Sequence, residues 1–539
     1  MHPDRRLFLL RTSRLATLAA AAVAAPGAFL GTDARAQTVP LAGIGNPFRL
    51  GVASGAPRPA SVVLWTRLVA NPVDPAPFAE KTLAVRWEIA EDDAFRRIAA
   101  KGTAPALQEL GHSVHVEVDG LKPDRWYWYR FFFNDAASAV GRTRTAPPPG
   151  ALPAQLRFAF ASCQHWEFGE YGAHRHIAAA DPDLVAFLGD YIYEWGPYSL
   201  QHPADGARNR EIESITLEEY RMRYGQYRSD PHLQSAHQAA PWIVTWDDHE
   251  VANDYANDRD ERRATDFLAR RAAAYQAFYE HMPIRLGTLP EGRHRFAHMR
   301  VYDRYDWGRL ARFHVLDNRQ YRDYQACQPA NSGGSFSVTA ACAERTLPER
   351  SLLGREQEAW LAEGLVGSKA RWNILAQQTL MAQSTQIPVH NEGEGRFWND
   401  GWDGYPASRD RLFDDILKHK PANPIVISGD VHSFYANELK RNFYRPASDE
   451  NPVIATEFVG ASVTSSSGPQ ERTLQRVAMN PHMKYGRSDR RGFVMMEVTP
   501  SRTVARFQAL DNVHDAAAGM STVASFQVED GKPGPQRID

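Results

Sequence analysis

Five short apolar segments recur along this 539-residue chain, and four of them run directly into residues that bind metals or carry protons. Leu156-Arg157-Phe158-Ala159-Phe160-Ala161 leads into Ser162-Cys163, and Asp183-Leu184-Val185-Ala186-Phe187-Leu188 leads into Gly189-Asp190-Tyr191-Ile192-Tyr193. Trp242-Ile243-Val244-Thr245-Trp246 is followed by Asp247-Asp248-His249-Glu250, and Pro424-Ile425-Val426-Ile427-Ser428 by Gly429-Asp430-Val431-His432. The remaining segment, Arg371-Trp372-Asn373-Ile374-Leu375, leads to Gln378. Segments of this length that are apolar on both faces read as strands covered by helices. In α/β folds, polar residues just after such strands collect at one edge. Acids, a thiol, phenols and imidazoles gathered there repel one another unless a cation compensates them, so the pattern predicts a metal centre. A single Gly-Asp is ordinarily a turn, and His249-Glu250 lacks the second His of a zinc protease, because position 253 is Asn. Recurrence carries the argument.

Helical patterns separate several of these strands. Thr216-Leu217-Glu218-Glu219 has the form of a capping box opening a helix to about residue 227. Residues 261–281 predict a long helix, and residues 355–367 another. From residue 46 to about 147 the chain reads as β instead. Segments 62–66, 84–89, 112–118 and 126–131 are rich in β-branched and aromatic residues, without helices between them, which predicts a small antiparallel β-sandwich. His112 and His115 fall on opposite faces of one strand and read as structural. Ala146-Pro147-Pro148-Pro149-Gly150 is a stiff linker and marks a domain boundary. Residues 492–499 and 503–510 predict a hairpin near the C-terminus. The fold class is α/β, with a β-sandwich domain over 40–146 and a catalytic domain over 151–530.

The first 36 residues read as an address. Arg5-Arg6-Leu7-Phe8-Leu9 precedes an Ala-rich apolar stretch, and Ala34-Arg35-Ala36 offers the small residues that a signal peptidase needs. The Arg pair is similar to a twin-arginine signal, which implies the twin-arginine export machinery as a partner and a periplasmic or extracellular location. That segment holds five Arg and two Asp, so the 62 basic and 64 acidic residues of the whole chain become 57 and 62, a net charge of −5 over 503 residues. A mildly acidic chain gives no support for a nucleic-acid-binding surface. No later stretch is long and apolar enough to predict a transmembrane anchor after signal removal. Hydrophobic content of 43% excludes wholesale disorder.

Gly189-Asp190-Tyr191-Ile192-Tyr193, Trp246-Asp247-Asp248-His249-Glu250 and Gly429-Asp430-Val431-His432 together resemble the calcineurin-like metallophosphoesterases, specifically the PhoD-type alkaline phosphatases. Supporting stretches are Phe48–Gly55, Asp317-Asn318-Arg319-Gln320-Tyr321-Arg322 and Asp400-Gly401-Trp402-Asp403-Gly404-Tyr405-Pro406, in collinear order over about residues 40–510. The resemblance implies an αββα sandwich and a phosphoric ester hydrolase holding Fe3+ and Ca2+, with another divalent metal as the alternative at the second site. Carried over by motif, Asp190 bridges the metals, and Tyr193 and Cys163 bind iron. Asp248 holds the second metal, standing where the family's usual motif has Asn. Asp430 and His432 match the closing motif, with Asp in place of its first His; how they divide between the metals stays open. So does whether Gln378 replaces a usual His ligand, and Asp247 is a further candidate. His249 is the expected proton donor to the leaving group, and Arg319 the expected clamp on the phosphate. Trp398, Trp402 and Tyr405 lie in a Gly-rich loop that either lines the cleft or is a plain surface loop.

The cysteines give an independent reading. Cys327 and Cys342 are 15 positions apart in a loop rich in small residues. In an oxidising compartment their pairing stabilises by roughly 3 kcal/mol in the chain-entropy model. Cys163 is then a lone thiol beside the acids, for which metal ligation provides a reason. The expected reaction is hydrolysis of small-molecule or lipid phosphate esters by a water that two metals activate. The alternative is a phosphodiesterase or phospholipase D-type activity on lipid or teichoic-acid-like diesters. A rival of a different class is a non-catalytic protein that binds a surface polymer.

Overall fold

The computed structural model describes residues 45–73, 78–196 and 212–539, so the export signal read at 1–36 lies outside the described residues. All five apolar segments form strands, and they divide between two sheets. Leu156–Ala161, Leu184–Phe187 and Trp242–Val244 lie side by side and parallel in a ten-stranded sheet. Trp372–Ala376 and Pro424–Ser428 lie side by side and parallel in a seven-stranded sheet. The polar residues after the strands are therefore delivered by two sheets rather than one.

Side-chain alternation explains the layers. Phe158, Phe160, Leu184 and Ala186 from the first sheet share one buried cluster with Ile374, Ala376, Ile425 and Ile427 from the second. The intervening Ala159, Ala161, Val185 and Phe187 turn the other way. They pack against the helices Gly172–Ala179, Leu217–Arg228 and Phe267–His281. Leu375 and Val426 turn outward under the helices Arg355–Val366 and Pro406–His419. The order is helices, sheet, sheet, helices, the αββα sandwich expected. Truncating an inner residue such as Ile425, which is fully buried, would cost about 2–5 kcal/mol.

The β-rich first part of the chain contributes to two sheets. Val52–Arg58 pairs in parallel with Trp242–Val244 at Gly55, and Ser61–Arg67 and Ser113–Val118 extend the ten-stranded sheet beyond it. Thr82–Ala90, Ile98–Leu107 and Trp126–Phe133 belong to a separate five-stranded sheet. His115 stacks on Tyr279 at 4.2 Å, and its Nε2 meets the Met282 carbonyl, so its part is structural. Gly492–Val498 and Arg502–Leu510 form the expected hairpin, and two further strands continue that edge.

The capping box forms as expected, with the Thr216 hydroxyl accepting from Glu219 N–H. The helix read over 261–281 begins only at Phe267. Its first residues are taken by a loop instead: Asp260 accepts from Ala264 N–H, Arg263 has φ 54°, and its guanidinium donates to the Ala330 carbonyl. Cys327 and Cys342 form a disulfide, and Cys163 is free and buried. Among the described residues no helix is long and apolar enough to cross a membrane.

Candidate metal centre

The loops that follow the parallel strands of both sheets meet at one edge, and they meet closely. Gly189 has φ 107°, and a Cβ there would collide with Asp247; a Cβ at Gly429 would collide with the Ser162 hydroxyl. The two Gly-Asp pairs thus let neighbouring loops touch. Cys163, Asp190, Asp430 and His432 have φ between 52° and 61°. Left-handed backbone costs a non-glycine residue about 1 kcal/mol or more, so four such residues concentrate strain where the donors converge.

Three groups of side chains place one ligand atom each within 4.8 Å of the others: Cys163 with Asp190 and His432, Asp190 with Asp248 and His249, and Asp247 with Asp248 and Asp430. Asp190 is common to the first two and Asp248 to the last two. Tyr193 joins the first group, because its hydroxyl donates to Asp190 Oδ2 at 2.8 Å and lies 3.2 Å from His432 Nε2. The Ser465 hydroxyl donates to Tyr193 Oη at 2.7 Å and holds the ring in place. His432 Nδ1 lies 2.7 Å from the Ser466 carbonyl, which fixes Nδ1 as the protonated nitrogen and leaves Nε2 as a lone-pair donor. Asp430 thus falls beside Asp247 and Asp248, and His432 beside Cys163, a division the sequence left open. Gln378 spends its amide N–H groups on Thr245 Oγ1 and the Trp246 and Leu316 carbonyls, and its Oε1 is buried without a hydrogen-bond partner.

The electrostatics fit a cation-binding site. Burial, with Asp248, Asp247 and Glu250 nearby, holds the Asp190 carboxyl well above the usual range, and Asp247 is raised likewise. Desolvation and neighbouring carboxylates push Asp430 up to about 7. Burial and then Asp190 raise both the Cys163 thiol and the Tyr193 phenol well above their ordinary values. Asp190 Oδ1 and Asp247 Oδ2 are buried without a hydrogen-bond partner. These groups are arranged to be anionic yet lack enough positive charge to stay so, which is the condition a bound metal meets. A thiol, a phenol, an imidazole and a carboxyl suit a transition metal; three carboxyls suit a hard divalent one.

His249 stands apart from the donors in its partner. Its Nδ1 lies 2.8 Å from Glu194 Oε2, and Glu194 Oε1 accepts from Asn253 N–H at 2.7 Å. Burial opposes an imidazolium, but Asp248, Glu194 and Asp190 outweigh it and hold the His249 pKa well above its ordinary value. The charged form is thereby favoured, and Nδ1 is the nitrogen committed to Glu194. Burial lowers His432 to about 4, so the two imidazoles have opposite roles available to them.

Arg319 occupies a different place from a clamp on the phosphate. It is fully buried, donates to Asp247 and to Asp400 Oδ2, and has Nη2 3.4 Å from Asp248 and 3.6 Å from Asp430. The guanidinium is the acids' counter-charge, because four carboxylates converge on it. Arg322 fixes Asp400 from the other side at 2.7 Å. The aromatic loop splits: Trp398 is exposed on the cleft beside the centre, whereas Trp402 and Tyr405 are buried, their polar atoms on Gln377 Oε1 and the Asp323 carbonyl.

Glu194, Glu250 and Asp400 went unassigned in the sequence. Glu250 accepts from Asp190, Tyr191 and Asp247 N–H groups and so ties two donor loops together. Burial raises its pKa to about 8 despite those bonds. Each sits within or next to a motif already noted, so adjacency was the available signal.

Residues 34–147 match the family described as PhoD-like phosphatase, N-terminal domain, and residues 158–507 match PhoD-like phosphatase. The chain is 44% identical over 502 residues to alkaline phosphatase D of Bacillus subtilis (strain 168), covering 91% of this chain and 82% of that protein. A solved structure of PhoD superposes with a TM-score of 0.84 at 43% identity, covering 92% of each chain. A purple acid phosphatase from yellow lupin (Lupinus luteus) seeds shares the fold, with a TM-score of 0.54 at 12% identity over 89% of this chain and 74% of that one.

Proposed function

The chain belongs to the PhoD-like phosphatase family and is a metal-dependent phosphoesterase; from that premise we propose how its own residues carry the reaction. Cys163, Asp190, Tyr193 and His432 would hold a ferric ion, and Asp190, Asp248, Asp430 and Asp247 would hold calcium or another divalent metal. The observation that carries this reading is Asp190, which faces the thiol, phenol and imidazole on one side and Asp248 on the other. Metals bound there would supply Lewis acidity and lower the pKa of a water nucleophile.

The remaining steps belong to the chain. The imidazole of His432 and the phenol of Tyr193 are oriented by Ser466 and Ser465, which fixes the geometry into which the phosphorus must fit. His249, held through Nδ1 by Glu194, would give the Nε2 proton to the departing alkoxide as the P–O bond breaks. Arg319 and Glu250 act through other residues, one by balancing the acids and one by holding the two loops together. We also propose that residues 1–36 direct export through the twin-arginine route to the periplasm or beyond. A non-catalytic polymer-binding reading does not survive membership of a phosphatase family.

The test is kcat/KM on a nitrophenyl phosphate monoester and on the bis(nitrophenyl) diester, with bound metal quantified. Monoester hydrolysis that chelation abolishes and metal restores supports the reading. Diester turnover exceeding monoester turnover would overturn the monoesterase assignment in favour of lipid or teichoic-acid-like diesters.

A further inference from the structure

A cleft of about 490 Å³ opens beside Asp430 and His432, between their loop, the short strand Arg396–Trp398, and the helix Gln470–Met479. Sites for small organic ligands typically run from roughly 300 to 1,000 Å³, so there is room for far more than the phosphate itself. Of the donors, Asp430 and His432 line the cleft. The helix forms another wall, and nothing in the chemistry above uses it.

That wall carries Arg472 and Arg476, one turn apart and on the same face. Like charges at this spacing destabilise a helix slightly. Among the described residues neither guanidinium has a carboxylate partner; Arg476 Nη1 donates to the Ser384 hydroxyl at 2.9 Å. Of the acids lining the cleft, Asp403 is engaged by Arg409 at 2.9 Å, and Asp430 belongs to the donor set. Trp398, also on the cleft, is 46% exposed, a large aromatic face left open beside the reacting centre.

We propose that this wall is a specificity subsite, selecting phosphate esters whose alcohol portion carries a second anionic group, a carboxylate or another phosphate. The distal anion is held by Arg472 and Arg476, and the carbon skeleton joining it to the scissile phosphate lies over Trp398. The proposal rests on the reading of Asp430 and His432 as ligands at the reacting end. Guanidinium pairs suit carboxylate and phosphate because their N–H groups match two oxygens at once.

The experiment compares phenyl phosphate with 4-carboxyphenyl phosphate in the wild type and in the Arg472→Gln/Arg476→Gln double variant. The double variant is expected to lose roughly ten- to hundredfold more kcat/KM on the carboxylated ester than on phenyl phosphate, chiefly through KM. Equal losses on both esters, or no loss on either, overturn the proposal. Calorimetric titration of phenylphosphonate and 4-carboxyphenylphosphonate into the metal-loaded protein repeats the comparison without turnover. Tighter binding of the carboxylated phosphonate by the wild type, abolished in the double variant, supports the subsite. If the wild type hydrolyses neither ester, the phosphatase reading fails, and the titration alone decides the subsite.

Discussion

The Glu194 carboxylate lies 2.8 Å from Nδ1 of His249, and both side chains are buried. That contact orients the imidazole and, together with Asp248 and Asp190, favours its charged form. Glu194→Gln keeps the shape but removes the charge, and is expected to lower kcat about 10- to 100-fold on an alkyl phosphate. The loss should be smaller on nitrophenyl phosphate, whose leaving group departs without a proton. Equal losses on the two substrates would assign Glu194 a structural part only.

Arg319 distinguishes two accounts of the same residue. As the counter-charge beneath Asp247, Asp248, Asp400 and Asp430, it is fully buried, and its removal strands those acids. Arg319→Met should destabilise the metal-free protein by about 3–5 kcal/mol. A phosphate clamp would instead raise KM and leave the thermal midpoint where it was.

The cysteines make a counting prediction. With Cys327 and Cys342 joined, thiol titration of the unfolded, unreduced chain returns one free thiol, that of Cys163. Three thiols would contradict the pairing. Replacing both loop cysteines by Ser should cost roughly 3 kcal/mol.

Glu358 makes the acid limb of stability testable away from the donors. Burial alone would raise its pKa, but bonds from Arg411, Ser408 and Ser351 outweigh burial and lower it below the ordinary value. The unfolded chain therefore takes up this proton more readily than the folded one. The contribution is full above the unfolded carboxylate range, near pH 4 to 5, and is lost as pH falls through the lower folded value. The difference in thermal midpoint between wild type and Glu358→Gln should be large at pH 7 and shrink on acidification. A difference that grows toward acid pH would contradict this sign.

Much of the centre was legible because chemistry follows buried strands. Cys163, Asp190, Asp248, Asp430 and His432 all come just after one, where the chain leaves the sheet with its polar groups converging. Which sheet each strand joins was not legible, since strands covered on both faces look alike in either. Ile98–Leu107 is rich in Ala, with Gly and Pro, and has little strand propensity of its own; pairing with Thr82–Ala90 makes it a strand. Glu194 could be seen but not assigned, because its partner His249 is 55 residues away. The cleft wall was hidden for the same reason: Trp398 and Arg472 come to line one cleft only through the fold.

The central claim is a mixed centre in which Tyr193 and Cys163 bind ferric iron and oxygen donors bind a second metal. Its most direct test is the visible absorption spectrum of protein purified without added metal or chelator, with metal content measured on the same sample. Iron with phenolate and thiolate ligands predicts a charge-transfer band that Tyr193→Phe shifts or weakens. A colourless protein with full metal occupancy would contradict the claim.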